Sequence, residues 1–406
     1  MKRYDSYKDS GVKWLGEIPS HWEMKRWRFL MNENVTKNNN CNVRLQLQFK
    51  YGDIVRKSNQ SEEKDVLEII SKYTVVEPDD IMINGLNLNY DFISQRVARV
   101  REEGAITSAY VSLRPTEIAD SRFYTYFLKS MDAKKMFHGM GTGIRLTLSY
   151  NELKNQFLPK PSLKEQEAIA NYLDSATSKI DEAIAQQQKM IDLLNERKQI
   201  IINNAVTKGL DPNVKMKPSG IDWIGDIPEH WEIRKVKSFG NIKSGDGIKN
   251  SELSEEGDYP VWGGNGLMGY TDKFNKDKNA IVIGRVGALC GNVRYLSTPT
   301  FVTDNALILS VNNLIDHNYL LYALEAANLN SLNTSSAQPL ITGSKVKNVV
   351  VTFPPRNEQI KIVENIISIM AKINISLSLC QKQISLLQER KQIIINDVVT
   401  GKVKVV

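Results

Sequence analysis

The sequence is poor in the residues from which enzymes build reactive sites. It has 3 cysteines and 4 histidines among 406 residues. Cys41, Cys290 and Cys380 lie far apart without CxxC spacing, which fits a reducing cytoplasm and argues against a zinc site. There is no GxxxxGK phosphate loop, and no GxGxxG between a predicted strand and a predicted helix. We therefore expect no active site on this chain.

Long apolar runs are also missing. No stretch approaches the roughly 18 apolar residues that a membrane span requires, and residues 1–10 are polar, unlike a secretory signal peptide. We therefore expect a cytoplasmic protein with no membrane partner. The net charge of +7 permits nucleic-acid binding, although solubility alone accounts for a surplus of this size.

What the sequence has instead is an internal repeat. Residues 10–22 return as residues 219–231, with Trp, Gly, Pro, His and Trp in register, and we call each copy a box. Two repeats of this length imply two equivalent structural units. The box is either a docking surface for a partner or a loop pinned to a helix end, and we favour pinning for at least one tryptophan of each pair. The residues concerned are Trp14, Trp22, Trp223 and Trp231.

Each repeat ends in a long predicted helix. Residues 163–204 contain no Gly or Pro, and apolar residues recur at steps of three and four from Ile169 to Leu194. This narrow apolar stripe is typical of a two-helix seam. A second helix, starting near Glu358, repeats the same steps from Ile362 to Leu387. At 1.5 Å per residue, each helix would be roughly 60 Å long.

The order of these parts predicts the architecture. For the two stripes to bury each other, the second helix must run back antiparallel to the first, which also returns the C-terminus to the N-terminus. We predict an α+β fold in which two globular mixed α/β domains are held apart by two long antiparallel helices (a coiled coil), with a pseudo-twofold internal repeat. The predicted domains are residues 1–161, 162–208, 209–355 and 356–406.

Between each box and its helix lies a block that the repeat does not keep. Both blocks, residues 24–161 and 232–355, show short strands, turns and one helix. The predicted strands are 73–77, 81–83, 97–100, 110–113, 280–283 and 306–309, and the predicted helices are 123–137 and 318–327. A constant frame that carries two different readers would give this pattern. The alternative is ordinary sequence divergence after duplication, but such divergence would have affected the boxes, the helices and the blocks alike.

The order of box, diverged block and long helix, repeated once, resembles the specificity subunit of Type I restriction-modification enzymes. The resemblance rests on the Trp-x-Gly-x-Ile-Pro-x-His-Trp boxes, on the Glu-Gln pairs at residues 165–166 and 358–359, and on the Glu-Arg-Lys-Gln-Ile-Ile-Ile-Asn helix ends. Shorter motifs in the blocks add to it, at residues 84–87, 107–110, 257–260, 263–266, 283–287 and 303–306.

This resemblance implies a non-catalytic DNA-recognition subunit. Each block would read one half of a bipartite sequence in double-stranded DNA, and the helices would set the spacing and dock partners. The implied partners are modification (methyltransferase) subunits, which bind S-adenosylmethionine, and restriction (motor and nuclease) subunits, which use ATP and Mg. No cofactor is expected on this chain. The alternative is a stand-alone, two-headed DNA-binding scaffold or regulator without a methyltransferase partner.

Base reading requires polar side chains that reach base edges, with basic groups on phosphates. In block one this chemistry, together with the motifs, predicts DNA contacts from Asn84, Asn87, Tyr110 and Arg145. In block two the predicted contacts are Trp262, Asn265, Arg285, Asn305 and Lys345. The alternative for each is a turn or surface role, above all for Gly-Asn-Gly, which is typical of turns.

Overall fold

The computed structural model describes residues 2–50, 52–58, 64–144, 146–287, 289–333 and 339–405, with the backbone alone for 64–66. The chain forms two compact units: unit 1 is Met1–Gln187 with Lys382–Val406, and unit 2 is Gln188–Gln381. Each unit therefore holds one box, one block, the beginning of one long helix and the end of the other. The predicted domains are consecutive segments of the chain, whereas each of these units contains parts of both long helices. The predicted domain boundaries therefore stay a prediction.

Two helices are far longer than the others. The described residues form helices α1 (Lys64–Ser71), α2 (Ser121–Ala133), α3 (Tyr150–Leu153), α4 (Leu163–Lys208), α5 (His317–Ala326), α6 (Gly343–Asn348) and α7 (Arg356–Val399). Every predicted stripe position of α4 and α7 is buried or half-buried, so the apolar stripe is confirmed. Helix α4 runs four residues past the predicted end because Gly209, with φ of 74°, terminates it. The helix predicted over 123–137 ends earlier, since Lys135 has φ of 57°.

Unit 1 is built around a four-stranded antiparallel sheet in the order β4-β11-β8-β9. Its remaining strands form two-stranded ladders, β1-β2, β3-β12, β5-β6 and β7-β10. The strands are β1 (Tyr7–Asp9), β2 (Glu17–Pro19), β3 (Glu23–Arg26), β4 (Met31–Glu33), β5 (Leu47–Lys50), β6 (Asp53–Arg56), β7 (Thr74–Val76), β8 (Ile81–Ile83), β9 (Val97–Arg99), β10 (Gly104–Ile106), β11 (Val111–Pro115) and β12 (Phe157–Lys160).

Unit 2 contains the same sheet, in the order β16-β22-β19-β20 and again antiparallel throughout. A three-stranded sheet, β18-β17-β21, has no counterpart of that size in unit 1 among the described residues. The strands are β13 (Met216–Pro218), β14 (Asp226–Pro228), β15 (Glu232–Lys235), β16 (Gly240–Ser244), β17 (Tyr259–Gly263), β18 (Gly266–Thr271), β19 (Ala280–Gly284), β20 (Val293–Leu296), β21 (Phe301–Val302), β22 (Ala306–Val311) and β23 (Val350–Phe353). The two blocks thus share one sheet although their sequences differ.

In each unit one long helix begins where the other ends. Ile169 and Leu173, near the start of α4, share the core of unit 1 with Val399 at the end of α7. In unit 2, Val206 near the end of α4 shares a core with Ile362 near the start of α7. Burying one such side chain contributes about 2 kcal/mol. The α+β class, the internal repeat and the antiparallel helices are confirmed.

The two ends of the chain meet in unit 1, as the sequence predicts. The backbone N–H of Lys404 donates to the Lys2 carbonyl at 2.9 Å. The Tyr7 hydroxyl donates to the Gly401 carbonyl at 3.1 Å, so the tail after α7 is bonded to the first residues of the chain.

Length and composition alone would let α7 cross a membrane. An 18-residue window of this helix has a mean hydropathy of 1.4, and 28% of the window is buried. One such helix is weak evidence for a membrane protein, because core helices of soluble proteins meet the same test. In this chain Ile362, Ile366 and Ile373 pack in the core of unit 2, which gives the apolar face of α7 a structural use.

Each box is bonded to the first turn of the long helix that follows it. In unit 1, Glu165 is buried and accepts hydrogen bonds from Trp22 Nε1 at 3.0 Å and from the Tyr4 hydroxyl at 2.9 Å, with His21 Nε2 at 3.0 Å. Burial and the Glu165 carboxylate raise the pKa of Tyr4, so its hydroxyl keeps its proton and remains a donor. In unit 2, Glu358 accepts from Trp231 Nε1 at 2.8 Å and lies 2.8 Å from His230 Nε2. We call these two contact groups the junctions.

The glutamine beside each glutamate attaches the block to the same helix start. The side-chain oxygen of Gln166 accepts the Asp120 N–H at 2.8 Å, and Asp120 caps α2 by accepting from Arg122 and Phe123. The side-chain oxygen of Gln359 likewise accepts the Asp316 N–H at 2.7 Å, and Asp316 caps α5. The Glu-Gln pair therefore joins three parts: the box, the helix and the block.

We predict that the two junctions differ in their contribution to stability. Glu165→Ala should lower the free energy of unfolding by about 3 kcal/mol, because it leaves the Tyr4 and Trp22 donors buried without an acceptor. Glu358→Ala should lower it by about 1.5 kcal/mol, because the Glu358 side chain is 33% exposed and no tyrosine among the described residues donates to it as Tyr4 does to Glu165. Urea unfolding followed by circular dichroism measures both.

Glu196→Ala and Glu389→Ala are matched controls, since both residues are exposed on the same two helices. Each should change the free energy of unfolding by less than about 0.5 kcal/mol. Equal losses in the two junction variants would contradict this account of the Tyr4 bond.

Candidate nucleic-acid interface

The candidate interface of unit 2 is one edge of its four-stranded sheet. Strands β16 and β19 end at this edge, while β20 and β22 begin there. The loop edge of unit 2 is defined as residues 263–266, 285–287, 289–292 and 303–305. This edge carries or adjoins four of the five residues predicted for block two: Trp262, Asn265, Arg285 and Asn305.

Two glycines allow the turn between β17 and β18 to lie against the sheet. A Cβ on Gly264 would be 2.7 Å from the Asn305 carbonyl oxygen, and a Cβ on Gly284 would be 2.5 Å from the Gly264 carbonyl oxygen. Any side chain at either position would push the turn away from the sheet. The Gly-Asn-Gly pattern therefore does have a turn role, and that turn holds the exposed Asn265 at the loop edge.

Arg285 and Asn305 are joined at this edge through their backbones. The Arg285 N–H donates to the Asn305 carbonyl at 3.0 Å. The Arg285 side chain is half-buried, and its Nη1 donates to Ser244 Oγ at 3.3 Å. Its Nε is buried and has no hydrogen-bond partner among the described residues. A buried donor without an acceptor is unfavourable, so an acceptor from outside the chain would stabilise this side chain.

Arg294 is a cation at this edge that sequence reasoning missed. Its guanidinium lies over the Trp262 ring, 5.7 Å from the centroid, and its Nη2 donates to the Asn265 carbonyl at 3.3 Å. Such cation–π contacts orient the guanidinium. No motif surrounds Arg294 in the sequence, and the packing of the β17–β18 turn beside β20 is what places it here.

Lys345 is held differently. It lies in α6, half-buried, and its ammonium donates to the Leu332 carbonyl at 2.8 Å. This bond fixes the segment that follows α5 and uses one of the three donors of the ammonium. A DNA contact from Lys345 stays a prediction.

Unit 1 has the equivalent edge, where β4 and β8 end and β9 and β11 begin. The loop edge of unit 1 is defined as residues 84–96, 107–110, 142–144 and 146–147. Asn84 directly follows β8, and its side-chain oxygen accepts the Leu86 N–H at 3.2 Å, which is a turn bond. Asn87 is exposed with φ of 53°, and its amide makes no hydrogen bond within the described part of the chain.

A buried arginine holds the loop edge of unit 1, and this residue was also missed. Arg96 is 1% exposed. Its guanidinium donates to three backbone carbonyls, those of Asn84 at 3.0 Å, Leu86 at 2.9 Å and Asp91 at 2.7 Å. Its backbone N–H donates to the Asp132 carboxylate at 2.7 Å. These bonds fix the connection that carries Asn84 and Asn87.

The other two residues predicted for block one have different outcomes. Tyr110 packs edge-on against Phe49, with ring centroids 5.8 Å apart, and burial raises the pKa of its hydroxyl. Its ring thus also supports a small apolar cluster that includes Leu47 and Ile54. Arg145 lies outside the described residues. Both DNA contacts stay predictions.

The four box tryptophans divide into two pairs. Trp22 and Trp231 are fully buried and bonded to Glu165 and Glu358, which confirms pinning for one tryptophan of each box. Trp14 and Trp223 are half-buried: Trp14 packs on Phe127 at 5.8 Å, and Trp223 packs on the core of unit 2. Only Trp14 and Trp223 offer ring surface to a partner, and such docking stays a prediction.

Comparison with known proteins assigns a family to this arrangement. Residues 97–191 and 228–383 match the model of the Type I restriction modification DNA specificity domain. The chain is 26% identical over 369 residues to the MjaVIII Type I restriction enzyme specificity subunit of Methanocaldococcus jannaschii, covering 84% of this chain and 82% of that one. It is 34% identical over 131 residues to the EcoprrI specificity subunit of Escherichia coli, 32% of each chain.

A solved structure from a study of assembly and conformational transition of the Type I restriction-modification system has the same fold. Its TM-score is 0.71 at 14% sequence identity, and the match covers 95% of this chain and 99% of that chain.

Proposed function

We propose a DNA-recognition function on one premise: the chain belongs to the Type I restriction-modification DNA specificity family. As the specificity subunit of such a complex, it selects the DNA sequence on which the complex acts. We propose that each block reads one half of a bipartite site in double-stranded DNA, and that the long helices set the spacing between the halves. The stand-alone scaffold or regulator has no support from the family match.

The observation that carries this proposal is the pair of loop edges. Two blocks of different sequence present the same edge of the same four-stranded sheet, with polar side chains on fixed backbone. Two domains that recognise different half-sites require equivalent loop edges with different residues. The reason is that the side chains facing the bases determine which bases are recognised. We assign base or phosphate contacts to Asn84, Asn87, Tyr110, Arg145, Trp262, Asn265, Arg285, Asn305 and Lys345, and add Arg294.

We further propose that chemistry belongs to partner subunits. Modification subunits would supply methyl transfer from S-adenosylmethionine, and restriction subunits would supply motor and nuclease activities that use ATP and Mg. This chain would bind DNA and position those subunits, in the cytoplasm. The scarcity of cysteine and histidine supports this division.

The deciding experiment exchanges block two. Replacing residues 232–354 with the corresponding segment of a relative should change one half of the methylated sequence and leave the other half and the spacer unchanged. The reason is that each loop edge lies within one unit. Methylome sequencing of cells that carry the chain with its partners measures the outcome. A change in both halves, or methylation by this chain alone, would overturn the proposal.

Arg285 is the sharpest single test of the loop edge of unit 2. Arg285→Ala should weaken binding of the complex to its target about 10- to 100-fold, because one arginine contact to a base contributes about 1–3 kcal/mol. Arg197→Ala, on the exposed face of α4, removes the same charge and is the matched control. Fluorescence anisotropy with excess non-specific DNA measures both, and equal losses would assign Arg285 a purely electrostatic role.

Exposed apolar residues also recur at equivalent positions of the two long helices. They mark a docking surface for a partner present in two copies. Leu193 and Ile200 on α4 correspond to Leu386 and Ile393 on α7, and all four are about half exposed. Solvent gives no reason to keep leucine and isoleucine at equivalent exposed positions, whereas a partner that binds both units does. We propose that modification subunits dock here.

Leu193→Glu and Leu386→Glu should each remove one modification subunit from the purified complex, because a carboxylate would be buried without a partner. Mass photometry of the co-expressed complex measures the stoichiometry. Ile375→Glu is the control, since Ile375 is exposed on α7 but its counterpart on α4 is already Glu182. Loss of a subunit in the Ile375 variant alone would contradict the docking assignment.

A further inference from the structure

The loop edge of unit 1 exposes apolar side chains that neither its fold nor its polar contacts explain. Ile93 is 94% exposed, Ile144 is 96% exposed and Tyr90 is 77% exposed. Most large apolar residues of the block are buried, so an apolar tip of this kind is a candidate contact surface.

This tip is built on ordered backbone. The Asp91 side chain accepts the N–H groups of Ser94 and Ile93 at 2.9 and 3.1 Å, and hydrogen bonding to Ser94, with a smaller effect from Ile93, lowers the pKa of Asp91 to about 2. Phe92, between Asp91 and Ile93, stacks on His138 with ring centroids 4.7 Å apart, and His138 Nε2 lies 3.1 Å from the Asp91 carbonyl oxygen, so both contacts hold this stretch to the rest of the block.

The second segment of the tip is bonded to the first. The Leu88 N–H donates to the Leu146 carbonyl at 3.2 Å, and the Asn89 amide donates to the Ile144 carbonyl at 3.4 Å. Ile93 and Ile144 are therefore presented from two connected segments of one edge.

Unit 2 repeats the feature with other residues. Leu289 lies on the connection equivalent to 84–96, and Leu267 and Met268 lie on β18 directly after the turn that holds Asn265. All three are about half exposed. Each loop edge thus combines polar groups with exposed aliphatic groups.

The residues of these tips favour DNA over a protein subunit as the occupant. A partner that binds both units would contact residues kept by the repeat, as at Leu193 and Leu386, whereas the apolar tips differ between units in residue type and position. Like the blocks that carry them, they differ between the two units, and they adjoin the polar residues assigned to base contacts. Within DNA, the aliphatic group that a side chain can reach beside base edges is the C5-methyl group of thymine in the major groove.

We propose that Ile93 and Ile144 read thymine methyl groups in the half-site recognised by unit 1, and that Leu267, Met268 and Leu289 do so in the other half. This inference rests on the proposed DNA-recognition function. It assigns discrimination between A·T and G·C pairs partly to aliphatic contacts, in addition to the hydrogen bonds from asparagine and arginine.

Uracil substitution tests the inference, because uracil lacks only the C5-methyl group of thymine. The target sequence is first taken from the methylome, and duplexes are made with uracil replacing thymine in one half-site at a time. For the wild-type complex, uracil in the half read by unit 1 should weaken binding about fourfold for each methyl group contacted. The double variant Ile93→Ser with Ile144→Ser should lose this thymine–uracil difference in that half and retain it in the other.

Ile118→Ser is the matched control, because Ile118 is exposed in unit 1 but follows β11 at the opposite edge of the sheet. It should keep the full thymine–uracil difference. The inference is wrong if the half-site read by unit 1 has no A·T pair or if wild type binds thymine and uracil duplexes equally. It is also wrong if the double variant weakens both duplexes alike, or if it reduces assembly with modification subunits. Failure of the wild-type complex to bind any sequence specifically would instead count against the proposed function.

Discussion

Two carboxylates at the starts of the long helices hold the frame of this protein together. A buried carboxylate is unfavourable unless donors surround it, and Glu165 obtains its donors from Tyr4, His21 and Trp22. The positive end of the helix dipole stabilises the same charge. One side chain therefore accepts hydrogen bonds from the box indole and the box histidine and interacts favourably with the helix dipole, which explains why Glu, His and Trp recur in both copies.

The neighbouring glutamine explains how such a frame tolerates different blocks. Gln166 and Gln359 bond to backbone N–H groups at the N-caps of α2 and α5. A hydrogen bond to a backbone N–H requires that the chain follows the same path and that an Asp caps the helix. It depends little on the other residues of the block. The sequence of a block can therefore change at its loop edge while its attachment to the helix stays the same. In this way a constant frame is compatible with changing specificity.

The sequence predicted the parts that follow from periodicity and repetition. The stripes from Ile169 to Leu194 and from Ile362 to Leu387 were found because helical spacing is a local property. The sheet edge was predicted only in outline, since motifs such as Gly-Asn-Gly mark turns but not what the turns pack against. Arg96 and Arg294 were missed because their roles arise from contacts between segments that are distant in sequence. Nothing near Arg96 in the sequence marks it as a buried cation.

The two loop edges reach the same end by different means. In unit 1 the buried guanidinium of Arg96 donates hydrogen bonds to three backbone carbonyls of the connection between β8 and β9. In unit 2 the absence of side chains at Gly264 and Gly284 lets two backbones meet directly. Both arrangements fix an exposed loop without using its outward-facing side chains. The exposed side chains of Asn87, Ile93 and Ile144 take no part in these bonds, and they are therefore positions at which recognition can change at little cost to the fold.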